Sequence, residues 1–422
     1  MKDRKAGRVL HFFGIGVLDQ ILLSGVNFIG GFVMIRYTSD VSYGQYVLAQ
    51  SAILLLVSAQ GAWLSGPVTL LAAAKSAEIR ARMIGFLGAS QTRLLRRTAP
   101  ALLAIPLAAY FVGIWSAIAS LAIAALILAG WGALQREYRR SVLLIYSRPR
   151  GMLAADSVYA GIVLLGMALA VLSGSLAGPV AITALSAAGG VSALVAHYLL
   201  ARDPGWTSGD ARPFWQEIRT IGLWSLIGAA IYWLFAQSYN YVLATRLDLT
   251  AVANVNAARL VITPVFVFMY GINNLLMPTA SKWLAEFGMK RTLRRLALLT
   301  VLICAINLLY FAVVWLLRHW LIVDLMHKHI ADQDRLLILW GCVALVFLPR
   351  EVLQSALWAL KYVKSMAWLI GLSAVVSLTL MWFGIERWGA AAVLIGQVAG
   401  ECVNVIGLAL LLWLLPRPGP AA

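Results

Sequence analysis

The apolar stretch VNAARLVITPVFVFMYGINN, residues 255–274, contains one arginine, Arg259, whose guanidinium group could bind an anion. A charged side chain near the centre of a membrane helix costs roughly 2.5–3.5 kcal/mol to insert. Arg259 therefore faces either an aqueous cavity or a structural partner, such as Asp19 or a backbone carbonyl. In a cavity, the guanidinium group would suit phosphate or carboxylate oxygens, because it binds them through two parallel hydrogen bonds.

Polar residues recur at helical spacing around Arg259 and in two other apolar stretches. Such stripes either line a binding cavity or join helices, since Asn, Gln and Ser side chains hydrogen-bond between membrane helices. Arginines at the ends of apolar stretches can also reach the membrane surface without a binding role. The candidate substrate-binding residues are Arg36, Arg246, Arg259, Asn27, Asn256, Asn274, Tyr239 and Tyr270.

Two acids inside apolar stretches are candidates for ion coupling. Asp19 lies beside the first polar stripe, and Glu401 lies near the centre of the last apolar stretch. Glu401 is either protonated and hydrogen-bonded within a helix bundle or part of an ion relay, and Asp19 is a possible cavity carboxylate. We find no nucleotide-binding glycine-lysine loop and no catalytic constellation, so we expect no enzyme activity, metal or cofactor.

The elements that position these residues are predicted to be membrane helices. The chain has 422 residues, of which 62% are hydrophobic and only 12% charged. Repeated apolar runs of about 20 residues are long enough to cross a bilayer, and Arg259 is the one arginine that we expect well inside a span. The predicted spans are 11–35, 43–71, 97–113, 116–134, 152–173, 178–200, 220–245, 253–277, 296–317, 336–357, 366–384 and 388–415.

The net charge of +17 is unevenly distributed along the chain. Lys and Arg concentrate at the N-terminus and in alternate connections between the predicted spans. This asymmetry is typical of cytoplasmic segments, so it predicts that both termini lie in the cytoplasm. Attraction to the anionic lipid of the inner leaflet accounts for the basic surplus, and we expect no nucleic-acid partner.

The sequence also predicts an internal duplication. REYRRSVLLIYSRPRGM (136–152) and REVLQSALWALKYVKSM (350–366) align over their whole length and join equivalent predicted spans. Internal repeats of this kind are common in transporters. We therefore expect an all-α polytopic membrane protein of about 12 transmembrane helices, in two duplicated six-helix lobes around a central cavity. The lobes are predicted at 1–200 and 220–422, with a cytoplasmic linker at 201–219.

Three segments resemble a known group of proteins: VMIRYTSDVSYGQYVLAQ, SGPVTLL and LQREYRRSVLLIYSRPR, the last expected to be a loop. They are similar to the polysaccharide-transporter branch of the multidrug/oligosaccharidyl-lipid/polysaccharide exporter superfamily. The resemblance implies a flippase for undecaprenyl-pyrophosphate-linked oligosaccharides in the bacterial inner membrane. It also implies cavity roles for Arg36 and Arg259, with Arg246 a further candidate.

The resemblance implies a lipid-linked glycan as substrate, with membrane lipid around the protein and a polysaccharide polymerase or glycosyltransferase as protein partner. Three other functions remain open. A multidrug or organic-cation antiporter of the same superfamily would use unpaired cavity carboxylates, for which Asp19 is a candidate. A membrane glycosyltransferase, polymerase or ligase would need a larger outer loop than 318–335. The last alternative is a membrane scaffold without transport activity.

Overall fold

A computed structural model describes the backbone of residues 2–73, 75–201, 215–360 and 362–414. Within these ranges it describes all side chains except those of residues 2–13, 73, 274, 275, 277, 278, 359 and 363. The described chain is helical and contains no strand, which confirms the predicted all-α fold class.

Twelve α-helices and two short π-helical turns make up the described structure. A π-helical turn, Gly61–Ser65, joins α2 to α3, and another, Trp320–Leu325, follows α9. The α-helices are α1 (Lys2–Tyr37), α2 (Asp40–Gln60), α3 (Gly66–Ala73), α4 (Ala77–Phe111), α5 (Ala117–Ile145), α6 (Pro149–Leu172), α7 (Gly178–Ala201), α8 (Trp215–Arg246), α9 (Leu249–His319), α10 (Gln333–Ala359), α11 (Val363–Trp388) and α12 (Ala391–Leu414).

The chain is a multi-pass membrane protein. Eleven segments of the described helices are long and apolar enough to cross a bilayer. The predicted span 97–113 lies almost entirely in α4, which ends at Phe111, and it is not among these eleven segments. Arg96 and Arg97 stand at its start and two prolines lie inside it, so its apolar run is shorter and less hydropathic than the others.

One predicted loop is part of a helix. The segment after residue 134 was expected to be a loop, but α5 continues through it to Ile145. Arg, Glu and Lys end an apolar run, but they are good helix formers and do not end a helix. The predicted spans 253–277 and 296–317 are separate, because two helices meet within α9 at a kink at Gly288, which has φ 71°. The two spans correspond to two different segments that are long and apolar enough to cross a bilayer.

Backbone contacts divide the chain into two compact units, Met1–Ala230 and Ile231–Ala422. The division falls inside α8, whereas the predicted linker 201–219 lies mostly outside the described residues. The duplication itself, with its six-helix lobes at 1–200 and 220–422, stays a prediction.

The first unit is held together by an apolar core between α3, α4, α5, α6, α7 and the first turns of α8. Met83, Leu87 and Leu143 are buried in it, and the Tyr138 hydroxyl donates to the Ile84 carbonyl at 2.7 Å. Near this core α5 and α7 touch through glycine, since a Cβ on Gly132 would lie 2.8 Å from the Gly190 nitrogen. The core fixes α5 beside α6, and this positions the charged residues of both helices.

In the second unit α12 packs closely against α11 and α8 through two glycines one turn apart, Gly396 and Gly400. A Cβ on Gly400 would lie 2.5 Å from the Phe235 ring and 2.9 Å from the Ser373 carbonyl oxygen. Small residues let membrane helices approach to this distance. The close packing brings Glu401, the residue after Gly400, into the interior of the unit.

Candidate functional site

Arg259 belongs to a hydrogen-bonded network between α8 and α9 in the second unit. The Arg259 Nη1 donates to the Tyr239 hydroxyl at 2.9 Å, and this hydroxyl donates to the Asn256 Oδ1 at 2.9 Å. The Asn256 Nδ2 in turn donates to the Asn240 Oδ1 at 2.7 Å. The guanidinium carbon of Arg259 also lies 5.5 Å from the centre of the Trp340 ring. We call these five residues the Arg259 network.

The network fixes the direction of each hydrogen bond. Because the Asn256 Nδ2 donates to Asn240 and to the Val252 carbonyl, its Oδ1 is left to accept from Tyr239. The Tyr239 hydroxyl donates its one proton to Asn256, so it accepts from Arg259 through an oxygen lone pair. Arg259 is half-buried, whereas Tyr239 and Asn256 are buried. A guanidinium group has the donor geometry that binds phosphate or carboxylate oxygens.

A cluster of four charged residues lies inside the first unit. Asp156 accepts from both arginines: the Arg136 Nη2 donates to its Oδ1 at 2.6 Å, and the Arg140 Nε to its Oδ2 at 2.8 Å. The Arg140 Nη2 also donates to the Asp19 Oδ2 at 2.7 Å. Asp19 and Asp156 are 1% and 0% exposed, so both carboxylates depend on these arginines for their charge compensation. We call Asp19, Arg136, Arg140 and Asp156 the first-unit ion cluster.

A second cluster lies inside the second unit and contains two carboxylates but one guanidinium group. The Arg350 Nε lies 3.0 Å from the Glu401 Oε2, and the Arg350 Nη2 donates to the adjacent Glu351. Glu351 also accepts from the Asn273 Nδ2. Arg350 is 1% exposed and Glu401 4% exposed. We call Arg350, Glu351, Glu401 and Asn273 the second-unit ion cluster.

The two ion clusters occupy corresponding places in the chain. Each contains an arginine that is followed in the chain by a glutamate, Arg136-Glu137 on α5 and Arg350-Glu351 on α10. The two arginines begin the aligned segments 136–152 and 350–366. The principal acidic partner differs, since Asp156 lies on α6 and Glu401 on α12.

The expectation that Arg259 is the one arginine well inside a span was wrong. Arg136, Arg140 and Arg350 also lie within segments apolar enough to cross a membrane. Sequence reasoning missed them as site residues because their positions near the ends of apolar runs resembled flanking charges. A usable signal was present, since both Arg-Glu pairs stand in the aligned repeat segments at 136–152 and 350–366.

The remaining candidate residues are dispersed through the two units. Arg246 at the end of α8 forms an ion pair with Glu386 at 2.6 Å and lies over the Trp382 ring. Arg36 is half-buried and lies over the Tyr37 ring, while Asn27 is exposed on α1.

Tyr270 and Asn274 complete the candidate set. Tyr270 is exposed and its ring contacts Phe347, over which the Arg350 guanidinium lies. The side chain of Asn274 lies outside the described residues, but its neighbour Asn273 belongs to the second-unit ion cluster. The structure therefore brings Arg259, Tyr239 and Asn256 together, and it brings Tyr270 close to Arg350 through Phe347.

The fold matches that of known membrane transporters. No protein-family model and no curated protein matches the sequence of this chain. Among solved structures, an inward-facing multidrug resistance MATE family transporter of the MOP superfamily superposes with a TM-score of 0.75. The match covers 93% of each chain at 14% sequence identity.

Two further solved structures have the same fold. The lipid II flippase MurJ, in an inward closed conformation, gives a TM-score of 0.70 over 96% of this chain and 88% of its own, at 11% identity. A eukaryotic MATE transporter gives 0.62 over 98% and 96%, at 13% identity. The chain therefore has the fold shared by the MATE and MurJ transporters.

Proposed function

We propose that the chain is an alternating-access transporter of the MOP superfamily that moves an anionic lipid-linked oligosaccharide across the bacterial inner membrane. The proposed substrate is a polysaccharide repeat unit carried on undecaprenyl pyrophosphate, and the protein would act beside the glycosyltransferase or polymerase that handles this glycan. Both termini are proposed to lie in the cytoplasm.

The fold supports transport as the general activity, since the similar solved structures are described as transporters and as a lipid II flippase. The name of the flippase supports a lipid-linked substrate in particular.

The observation that carries the proposal is the Arg259 network. Its guanidinium group is half-buried in an apolar span and oriented by the buried Tyr239 hydroxyl, which is in turn oriented by Asn256. An arginine aligned in advance loses less side-chain entropy when it binds phosphate oxygens.

We propose that Asp19 and Glu401 couple transport to an ion gradient. Each carboxylate is buried and paired with an arginine, Asp19 with Arg140 and Glu401 with Arg350. If the helices separate during transport, the carboxylate must take a proton or another cation in place of the arginine, because an unpaired buried charge is costly.

The second candidate function is an organic-cation antiporter. The second-unit ion cluster favours it, because two carboxylates share one guanidinium group and leave one negative charge to compensate. The match to a multidrug resistance transporter also supports it.

The test is transport by the purified full chain in proteoliposomes. The substrate is an undecaprenyl-pyrophosphate-linked oligosaccharide, and its arrival in the opposite leaflet is read by accessibility to an impermeant glycosidase. We expect Arg259→Gln to lower the flipping rate at least about tenfold, since a charge-assisted hydrogen bond is worth about 1.5–3 kcal/mol. Arg259→Lys should give an intermediate rate because it keeps the charge but cannot bind through two parallel hydrogen bonds.

Glu401→Gln and Asp19→Asn should weaken the response of the flipping rate to an imposed ion gradient.

The matched control is Arg318→Gln, which removes an arginine paired with Asp334 outside the candidate site and should leave flipping unchanged. Equal flipping rates in the wild type and Arg259→Gln would contradict the proposal. Absence of glycan flipping together with gradient-driven export of ethidium would instead establish the antiporter.

A further inference from the structure

A five-residue motif of three arginines occurs once in each unit. Its pattern is Arg-x-Leu-Arg-Arg, at residues 93–97 in α4 and at 291–295 in α9. Each copy lies where a helix passes from a basic segment into an apolar one, within α4 and in the part of α9 that follows Gly288. Arginines spaced by three and four residues share one helix face, so each motif presents three guanidinium groups together.

All six arginines of the two motifs are exposed: Arg93, Arg96, Arg97, Arg291, Arg294 and Arg295. Within the described part of the chain, none of them forms an ion pair with a carboxylate. Arg295 alone has a defined contact, over the rings of Phe287 at 3.9 Å and Trp283 at 5.4 Å. They differ in this from Arg136, Arg140 and Arg350, which are all paired with acids. The motif arginines are therefore available to an anion outside the chain.

An exposed apolar surface begins within about one turn of each motif. In α9, Leu298 and Val301 are 63% and 67% exposed, and in α4 Leu102 and Ile105 are 46% and 55% exposed. Leu298 follows Arg294 by four residues, about 6 Å along the helix axis. Each helix thus carries a triple positive charge followed directly by an apolar surface.

We propose that each Arg-x-Leu-Arg-Arg motif binds the phosphate of an anionic glycerophospholipid, whose acyl chains cover the apolar surface that follows. The charge complementarity selects the phosphate, and the adjacent apolar surface selects a lipid over a free phosphate. Guanidinium groups suit this ligand because they bind phosphate oxygens through two parallel hydrogen bonds. Since the motif occurs in both units, the protein binds two such lipids. This inference does not depend on the transported substrate.

The test is native mass spectrometry of the full chain in a neutral detergent, titrated with phosphatidylglycerol or phosphatidylcholine of equal chain length. We expect the wild type to retain two phosphatidylglycerol molecules, with affinity about tenfold or more above that for phosphatidylcholine, since each basic group near the headgroups favours anionic lipid. Replacing the three arginines of one motif by Gln should remove one bound lipid, and replacing both sets should remove two. Excess inorganic pyrophosphate should not displace the lipid.

Two sets of variants serve as controls. Arg318→Gln, Arg335→Gln and Arg387→Gln together remove the same charge outside the motifs and should leave both lipids bound. Arg→Lys at the three positions of a motif keeps the charge and should retain the bound lipid with reduced affinity. This variant tests the motif even if the triple Gln variant does not fold. Three results would overturn the inference. They are equal affinity for the two lipids, equal loss of bound lipid in the motif and control triple variants, and displacement of the lipid by pyrophosphate.

Discussion

Two arginine–glutamate ion pairs have similar nitrogen–oxygen distances but differ in burial. In the pair of Arg350 with Glu401 both side chains are buried, at 3.0 Å, whereas in the pair of Arg246 with Glu386, at 2.6 Å, the glutamate side chain is 80% exposed. Solvent screens the exposed pair, but the buried pair leaves an uncompensated charge when one partner is removed. The same arginine substitution should therefore have very different effects at the two positions.

We predict that Arg350→Met lowers the free energy of unfolding by about 3–5 kcal/mol, because Glu401 then remains buried without its partner. Adding Glu401→Gln should recover most of this loss. Arg246→Gln should cost less than about 1 kcal/mol. The measurement is unfolding in detergent, followed by tryptophan fluorescence, as a double-mutant cycle. An additive double mutant would show that the two residues do not depend on each other.

The residues of the candidate site were predictable only where they share one helix or two consecutive helices. Asn256 and Arg259 lie on one face of α9, and Tyr239 lies on the helix just before it, so helical spacing was enough to group them. Asp19 and Arg140 are 121 residues apart, and no periodicity relates positions on separate helices. The first-unit ion cluster therefore emerged only from the packing of α1, α5 and α6.

At the scale of the helices, glycine decides where α12 can approach its neighbours. A side chain at Gly400 would meet the Phe235 ring and the Ser373 carbonyl, whereas a Cβ on Gly371 of α11 would have no atom within 4 Å. The two positions lie on neighbouring helices of one unit, so they form a matched pair for testing this contact.

We predict that Gly400→Leu separates α12 from α11 and α8 and lowers the thermal unfolding midpoint markedly, since overpacking typically costs about 1–3 kcal/mol or more. Gly371→Ala should be neutral or slightly stabilising, because alanine is the better helix former. Circular dichroism during heating measures both. A Gly400→Leu protein as stable as the wild type would show that the close approach of α12 is unnecessary.

The positions of the helices were predictable from apolar runs, but their lengths were not. Hydropathy located the spans of α5 and α9, yet both helices continue through charged residues, where no apolar pattern remains to be detected. Gly288 breaks the helical φ and ψ values inside α9, and a single glycine in a sequence does not reveal whether its φ is positive.

For the whole molecule, composition and run length were sufficient to predict an all-α membrane fold, because a bilayer admits few alternatives for an apolar chain. The choice among transporter activities was not predictable to the same degree. It depends on a few polar side chains, whereas the fold depends on hundreds of apolar ones.

The orientation in the membrane gives a prediction for the complete chain. We expect a reporter active only in the cytoplasm to function when fused after residue 422 or within 201–219. A reporter active only outside should function when inserted within 326–332. The basis is the concentration of Lys and Arg in alternate connections. A single reporter with the opposite activity would show that the charge asymmetry does not determine the orientation.

The order of synthesis gives the two ion clusters different histories during assembly. Asp19 is made before Arg140, so this arginine reaches the membrane with one of its carboxylate partners already there. Arg350 is made about 50 residues before Glu401, and at 5–20 residues per second that gap lasts several seconds. During this interval Glu351 is the carboxylate that pairs with Arg350. We therefore expect α10 to remain beside neighbouring protein or the insertion machinery until α12 emerges.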